Sequence, residues 1–138
     1  MKKIVLDTGV LQTMFLFERV THAKIKDCIV LPDQIIFVVL PNELGRAVGA
    51  KGRNVQELAR LLKKKIRVVE YREDCTSFIK SLLYPIEVKN VSIENSVVMI
   101  TAPNVQSRGI LIGRNAERLR MHEAIVKRYF PIKEMRVK

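Results

Sequence analysis

Apolar positions in the first third of the chain fall into two rhythms. Residues 10, 11, 14, 15, 17 and 20 are apolar at helical spacing and predict a helix over 10–20. Two denser apolar stretches predict strands over 26–31 and 35–40, with Pro32-Asp33 as the turn between them. A short helix over 42–48 then leads into a glycine-bearing loop. A longer helix over 53–63 carries Val55, Leu58, Ala59 and Leu62 on one face, and a strand over 66–71 closes the series. The same order then returns. Asp74 is placed to cap a helix over 75–83 that Pro85 stops, followed by strands over 86–93 and 97–101. A short helix ending near 112, a longer one over 116–130 and a strand over 133–137 complete the chain. The pattern is αββααβ, twice, which is an α+β fold in two domains, 1–73 and 74–138.

The repetition is visible in the residues themselves, at a period near 64. LGRAVGAKGRNVQEL (44–58) aligns with RGILIGRNAERLRMH (108–122), so that Gly45 faces Gly109, Val48-Gly49 faces Ile112-Gly113 and Val55 faces Leu119. Upstream, IIFVVLPN (35–42) corresponds to VVMITAPN (97–104), and the second copy has two more residues between Pro-Asn and the shared glycine. A repeat of this length folds as a unit, so two domains are expected rather than a solenoid. No Gly/Ser/Pro-rich linker separates the copies, and a fixed mutual orientation is expected.

Composition narrows the function. The 138 residues carry 25 Lys+Arg against 14 Asp+Glu, a net charge of +11, which points to a polyanionic partner. The first 72 residues hold 14 basic and 7 acidic groups and the remainder 11 and 7, so the first copy is the stronger partner for a phosphate chain. The longest apolar run, 35–40, is six residues, far short of the roughly 20 of a membrane helix. The opening MKKIVLD has an apolar run of three before Asp7, too short for a secretory signal, so no membrane association and a cytoplasmic setting are expected. Cys28 and Cys75 stand alone, which argues against a disulfide framework or a zinc site; Cys28, in CIVL, is expected as a buried thiol.

Catalytic chemistry is poorly supplied. The two histidines, His22 and His122, lie in no recognised motif, and H-E-x-x-H and G-x-S-x-G are absent. A phosphate-binding P-loop is also absent, because Lys51 is followed by Gly52 rather than Ser or Thr. No catalytic residue, metal, cofactor or small-molecule substrate is expected.

The loop over 47–55, AVGAKGRNV, carries the chemistry. Two glycines three apart allow positive φ and let a ligand approach the backbone. The following helix points its free N–H groups and positive dipole end at the same place, where Lys51 and Arg53 add charge. Such a turn suits a sugar–phosphate backbone and leaves the bases free to be read. The plain alternative is a helix–turn–helix connection. In the second copy the loop is Gly113-Arg114-Asn115-Ala116, with Ala in place of the second glycine and Glu117 in place of Arg53. An alanine there is expected to require φ < 0. Arg114 and Arg118 partly restore the charge. This loop is read either as a second RNA contact or as a structural copy that extends the basic surface.

VGAKGRNVQELARLLKKKIRVVEY resembles the G-x-x-G core of a K-homology (KH) domain, and the αββααβ order is similar to the prokaryotic type II version. Two such domains in so short a chain resemble the archaeal NusA-like transcription termination/antitermination factors, from about Asp7 to Val137. The resemblance implies a three-stranded mixed sheet packed against helices in each domain. It implies single-stranded RNA bound with its phosphates over Gly49, Ala50, Lys51 and Gly52 and its bases in a groove between helices and sheet. Arg46, Val48, Arg53 and Asn54 complete the predicted first contact; Arg108, Ile112, Gly113, Arg114, Asn115, Ala116 and Arg118 form the second. Bacterial NusA proteins have in addition a polymerase-binding region and an S1 domain that this sequence does not show, so RNA polymerase is an expected partner on the resemblance alone. A ribosome-associated or RNA-processing KH protein, and a protein-interaction scaffold on the same fold, are the alternatives.

Other residues have plainer readings. Arg60, Lys63, Lys64 and Lys65 complement the dipole at the end of their helix. His122 is expected partly buried, and Met14, Phe15 and Phe17 are expected in core or inter-domain packing.

Overall fold

The computed structural model describes residues 8–138; residues 1–7, on which the reading of the leader rests, lie outside them. Among the described residues the chain divides into two compact units, 8–72 and Glu73–Lys138.

The first unit begins with α1 (Thr8–Thr21), followed by β1 (Ile25–Val30) and β2 (Gln34–Val39). Next come α2 (Leu44–Val48), a single 3₁₀ turn over Ala50–Gly52, α3 (Arg53–Leu62) and β3 (Lys65–Glu70). β2 is the central strand, antiparallel to β1 and parallel to β3, with Phe37 opposite both Cys28 and Val68. A parallel neighbour cannot be reached by a tight turn, so the chain must cross over between β2 and β3. The pair α2–α3 and the loop between them are that crossover.

The side chains explain the layering. Phe37 and Phe17 of α1 stack at 4.3 Å between ring centroids, and Met14, Ile35, Val39, Ala47, Leu58 and Ile66 pack around them. Cys28 joins this core. Burial of each of the larger side chains among them stabilises by roughly 1.5–3 kcal/mol. Phe15, expected with them in core or inter-domain packing, is instead 66% exposed. It lies on the other side of α1 from Met14 and Phe17, because adjacent helical positions are about 100° apart. α3 ends at Lys63, whose left-handed φ of 56° turns the chain back into β3. Lys64 donates from Nζ to the Leu31 carbonyl at 3.0 Å, and Arg60 pairs with Glu57 at 2.6 Å.

The second unit has the same order: α4 (Cys75–Leu83), β4 (Asn90–Glu94), β5 (Val97–Thr101), α5 (Val105–Ile112), a 3₁₀ turn over Arg114–Ala116, α6 (Glu117–Lys127) and β6 (Glu134–Val137). β5 is central, antiparallel to β4 and parallel to β6. Asp74 caps α4: its carboxylate accepts from the Ser77 and Thr76 hydroxyls, both at 2.7 Å, and from the Ser77 amide at 3.1 Å. Those bonds, the Ser77 hydroxyl foremost, hold the Asp74 carboxyl below its ordinary value.

Three expectations are corrected here. β4 starts at Asn90 and not at 86, because a turn bond from the Ile86 amide to the Leu83 carbonyl holds that segment. α6 ends at Lys127, short of 130, since the amides of Arg128 and Tyr129 tighten onto the carbonyls three residues back ahead of Pro131. His122 is fully rather than partly buried, at 1% exposure.

Candidate nucleic-acid interface

The loop between α2 and α3 is held by a definite set of torsions. Gly49 has φ 77° and ψ 170°, Lys51 φ 55° and ψ 29°, and Gly52 φ 73° and ψ 19°. The first pair lies in a region open essentially to glycine alone, and the other two are left-handed helical. A Cβ on Gly49 would also stand 3.2 Å from the Asn54 main-chain nitrogen, whereas one on Gly52 would meet nothing within 4 Å. The first glycine is therefore required by torsion and by crowding, whereas the second is favoured by torsion alone.

That difference accounts for the second loop. Gly113 repeats Gly49 at φ 76° and ψ 178°, Asn115 repeats Lys51 at φ 53°, and Ala116 repeats Gly52 at φ 60° and ψ 18°. The expectation that Ala116 needs negative φ is wrong: the turn that leads into α6 holds it left-handed, as the first loop holds Gly52. A non-glycine residue there costs on the order of 1–2 kcal/mol. Substitution stopped at the second glycine; a Cβ on Gly113 would lie 3.0 Å from the Arg118 main-chain nitrogen.

Each loop is spanned by a side chain. Asn54 Nδ2 donates to the Arg46 carbonyl at 3.0 Å, and Arg118 Nη1 donates to the Ile110 carbonyl at 2.9 Å. The donors occupy equivalent positions and cap the last turn of the preceding helix. Both were expected as RNA contacts from their place in the loop. This structural bond links residues eight apart and leaves no periodic signature in the sequence.

Within the first loop the Gly52 amide donates to the Gly49 carbonyl at 3.1 Å, while the amides of Ala50 and Lys51 engage no carbonyl among the described residues. Ala50, Lys51 and Arg53 are exposed, and Val48, Gly49, Gly52 and Asn54 are half-buried. Arg46 extends from α2 with 60% of its side chain exposed, 3.6 Å from Glu43. Glu43 also accepts from the Lys24 amide at 2.7 Å, which anchors the start of α2 to β1. The predicted residues of the first loop thus form one basic, amide-lined turn at the start of α3. In the second, Arg108, Arg114, Asn115 and Arg118 are exposed and Ile112, Gly113 and Ala116 half-buried, with Glu117 opening α6. Among the described residues no group of His, Cys, Asp and Glu could hold a metal ion, and no helix is long and apolar enough to cross a membrane.

A sheet with one parallel and one antiparallel neighbour, crossed by two helices around a glycine loop, is a KH arrangement, and the KH domain family model matches residues 12–98. The chain belongs to the KH domain family. It is 30% identical over 138 residues to a probable transcription termination protein NusA from Methanococcus vannielii, covering 98% of this chain and 80% of that protein. Proteins of the same name from Halococcus morrhuae and Methanocaldococcus jannaschii are 29% and 27% identical, with 96% and 99% of this chain covered and 97% and 76% of theirs. Among solved structures, the crystal structure of APE1850 superposes with a TM-score of 0.77 at 26% identity, covering 96% of this chain and all of that one.

Proposed function

We propose that the chain is a single-stranded RNA-binding protein built from two type II KH domains and that it acts as a NusA-like transcription termination/antitermination factor. The observation that carries the reading is the first loop: two unengaged amides, at Ala50 and Lys51, presented beside Lys51 and Arg53 at the start of a helix. Amides so placed donate to phosphate oxygens, and the helix dipole favours the same charge. In this reading phosphates lie over 49–52, Arg46 and Arg53 steer the strand, and Val48 contributes to the floor under the bases.

The second unit is read as a KH domain because its element order, its sheet and its loop torsions repeat those of the first. Arg114 supplies its cation, and Arg108, Ile112, Gly113, Asn115 and Ala116 complete its contact. Arg118 both spans that loop and extends the basic surface. The chain is then a binding module in the cytoplasm, not a catalyst, with RNA polymerase as its second partner on the strength of its relatives' names.

The test replaces Ala50 and Lys51 with Asp together, verifies folding by circular dichroism and titrates short single-stranded RNA pools. At least a tenfold loss of affinity with folding intact is expected; unchanged affinity overturns the reading. A pull-down that recovers polymerase supports the transcription role, and one that recovers ribosomal particles instead replaces it.

A further inference from the structure

The two units differ in how the second long helix returns to the sheet. In the first, two residues, Lys63 and Lys64, separate α3 from β3; in the second, six residues, 128–133, separate α6 from β6. The longer connection is well anchored. The Ile132 amide donates to the Phe130 carbonyl at 2.9 Å, which folds the chain around Pro131, and the Lys133 amide donates to the Ser96 carbonyl at 2.7 Å. Tyr129 and Phe130 set their rings against the fully buried Phe78, at 5.3 and 5.7 Å between centroids. Residues 127–133 line a cleft of about 650 Å³.

That lining holds three cations, Lys127, Arg128 and Lys133, and no acidic residue. Lys127 and Arg128 complement the dipole at the end of α6 whatever else they do. Lys133, exposed at the threshold of β6, lies beyond that last turn. Lys127 stands 3.8 Å from Glu123, but the Glu123 carboxylate already accepts from the Met135 amide and from Arg120, both at 2.7 Å. Glu134 pairs with Arg136 at 3.1 Å. Tyr129 and Phe130 are only half-buried, so packing on Phe78 leaves part of each ring to the cleft. A purely anionic ligand would use the cations and leave the rings bare, and an apolar one would do the reverse. A nucleotide uses both, base on ring and phosphate on cation, the combination that tracks single strands.

We propose that this cleft is a further station for single-stranded RNA, where the base of one nucleotide stacks on Tyr129 or Phe130 and its phosphate meets Lys133 and Lys127. The inference rests on the RNA-binding reading above and adds a contact outside the glycine loops. The cleft and the second loop stand at the two ends of α6, whose 11 residues span about 16 Å. A strand leaving the loop covers that distance in a few nucleotides. The cleft thereby supports a loop that has Glu117 where the first has Arg53. Stacking accepts any base, so the contact adds affinity and length of strand held rather than sequence preference.

The experiment uses the full chain with Lys133→Ala, which alters an exposed side chain, and Tyr129→Leu, which keeps an apolar contact for Phe78. Affinity is measured for oligo-U of about four nucleotides, the length one unit clamps, and of about three times that length. Tyr129→Leu should bind the longer oligomer about fivefold more weakly or worse. Lys133→Ala should flatten the salt slope of the longer oligomer by about 0.7. The shorter oligomer should bind parent and variants alike. Longer oligomers carrying iodouridine should cross-link on irradiation to Tyr129 or Phe130, read by mass spectrometry of the digest. If Tyr129→Leu melts well below the parent, the Lys133→Ala slope and the cross-link decide. Unchanged affinity for the longer oligomer in a folded Tyr129→Leu overturns the proposal, as do cross-links confined to residues outside 127–133. Protection of Lys133 from acetylation by poly-glutamate but not by the oligomer assigns the cleft to an acidic peptide and overturns it too. If the Ala50/Lys51 double variant loses binding while Tyr129→Leu keeps it, only this inference fails; if that double variant binds both oligomers as the parent does, the RNA reading itself fails.

Discussion

The amide of Asn54 reaches back across the loop to the main-chain oxygen of Arg46, 3.0 Å away, and thereby ties the first turn of α3 to the last turn of α2. The equivalent bond in the second unit is made by a different residue type, Arg118 to Ile110. One geometric task, closing an eight-residue span, is met by a short amide in one copy and a long guanidinium in the other. Removing either donor should loosen its loop: Asn54→Ala is expected to cost about 1 kcal/mol in chemical denaturation followed by circular dichroism. Asn54→Asp, which cannot donate to a carbonyl, should cost no less.

The loop glycines predict an asymmetric substitution series. Gly49→Ala and Gly113→Ala force a side chain into a conformation that disfavours it and against the following helix, and should destabilise by about 1–3 kcal/mol. Ala116→Gly should do the reverse. It relieves the left-handed alanine but adds freedom to the unfolded chain, for a net gain on the order of 0.5 kcal/mol. Denaturant midpoints of the three variants check the signs.

Asp74 predicts an acid dependence. Its folded carboxyl is held below the ordinary 3.8 by the Ser77 and Thr76 hydrogen bonds, so the folded state favours the ionised form. The stabilisation is fully present above the unfolded value and is lost as pH falls through the lower folded one. Melting curves of the parent between neutral pH and about pH 2 should therefore show a steeper acid decline than those of Asp74→Asn, which retains an acceptor for the Ser77 amide but cannot ionise.

Salt should report the number of phosphates gripped. For a single strand the slope of log K against log salt changes by about 0.7 for each phosphate contact, so Lys51→Ala should flatten it by about that amount. A cation facing away from the strand would leave the slope where it was. Lys64, which is engaged with the Leu31 carbonyl, serves as that control.

Much of the architecture was legible because it rests on local periodicity. The unbroken apolar run of 35–40 marks the central strand, and the doubled αββααβ order follows from repeated glycines and proline stops. The errors have particular causes. Phe15 reads as a core or inter-domain packing residue by composition, but the angular step of the helix turns it outward from its neighbours Met14 and Phe17. Ala116 reads as a negative-φ residue by its type, yet the turn repeats the torsions of the first loop and holds it left-handed. At the site, the glycines and cations were visible as a motif. The bonds from Asn54 and Arg118 were not, because they join residues that only the folded loop brings together.

The crossover between β2 and β3 has a consequence for how this loop can change. Two parallel strands already in register fix both ends of the α2–α3 segment, so lengthening the turn would displace a helix that covers the core. The grip can be retuned one side chain at a time but hardly by insertion into the turn, and the two added residues of the second copy stand before it, where α5 has eight residues to the five of α2.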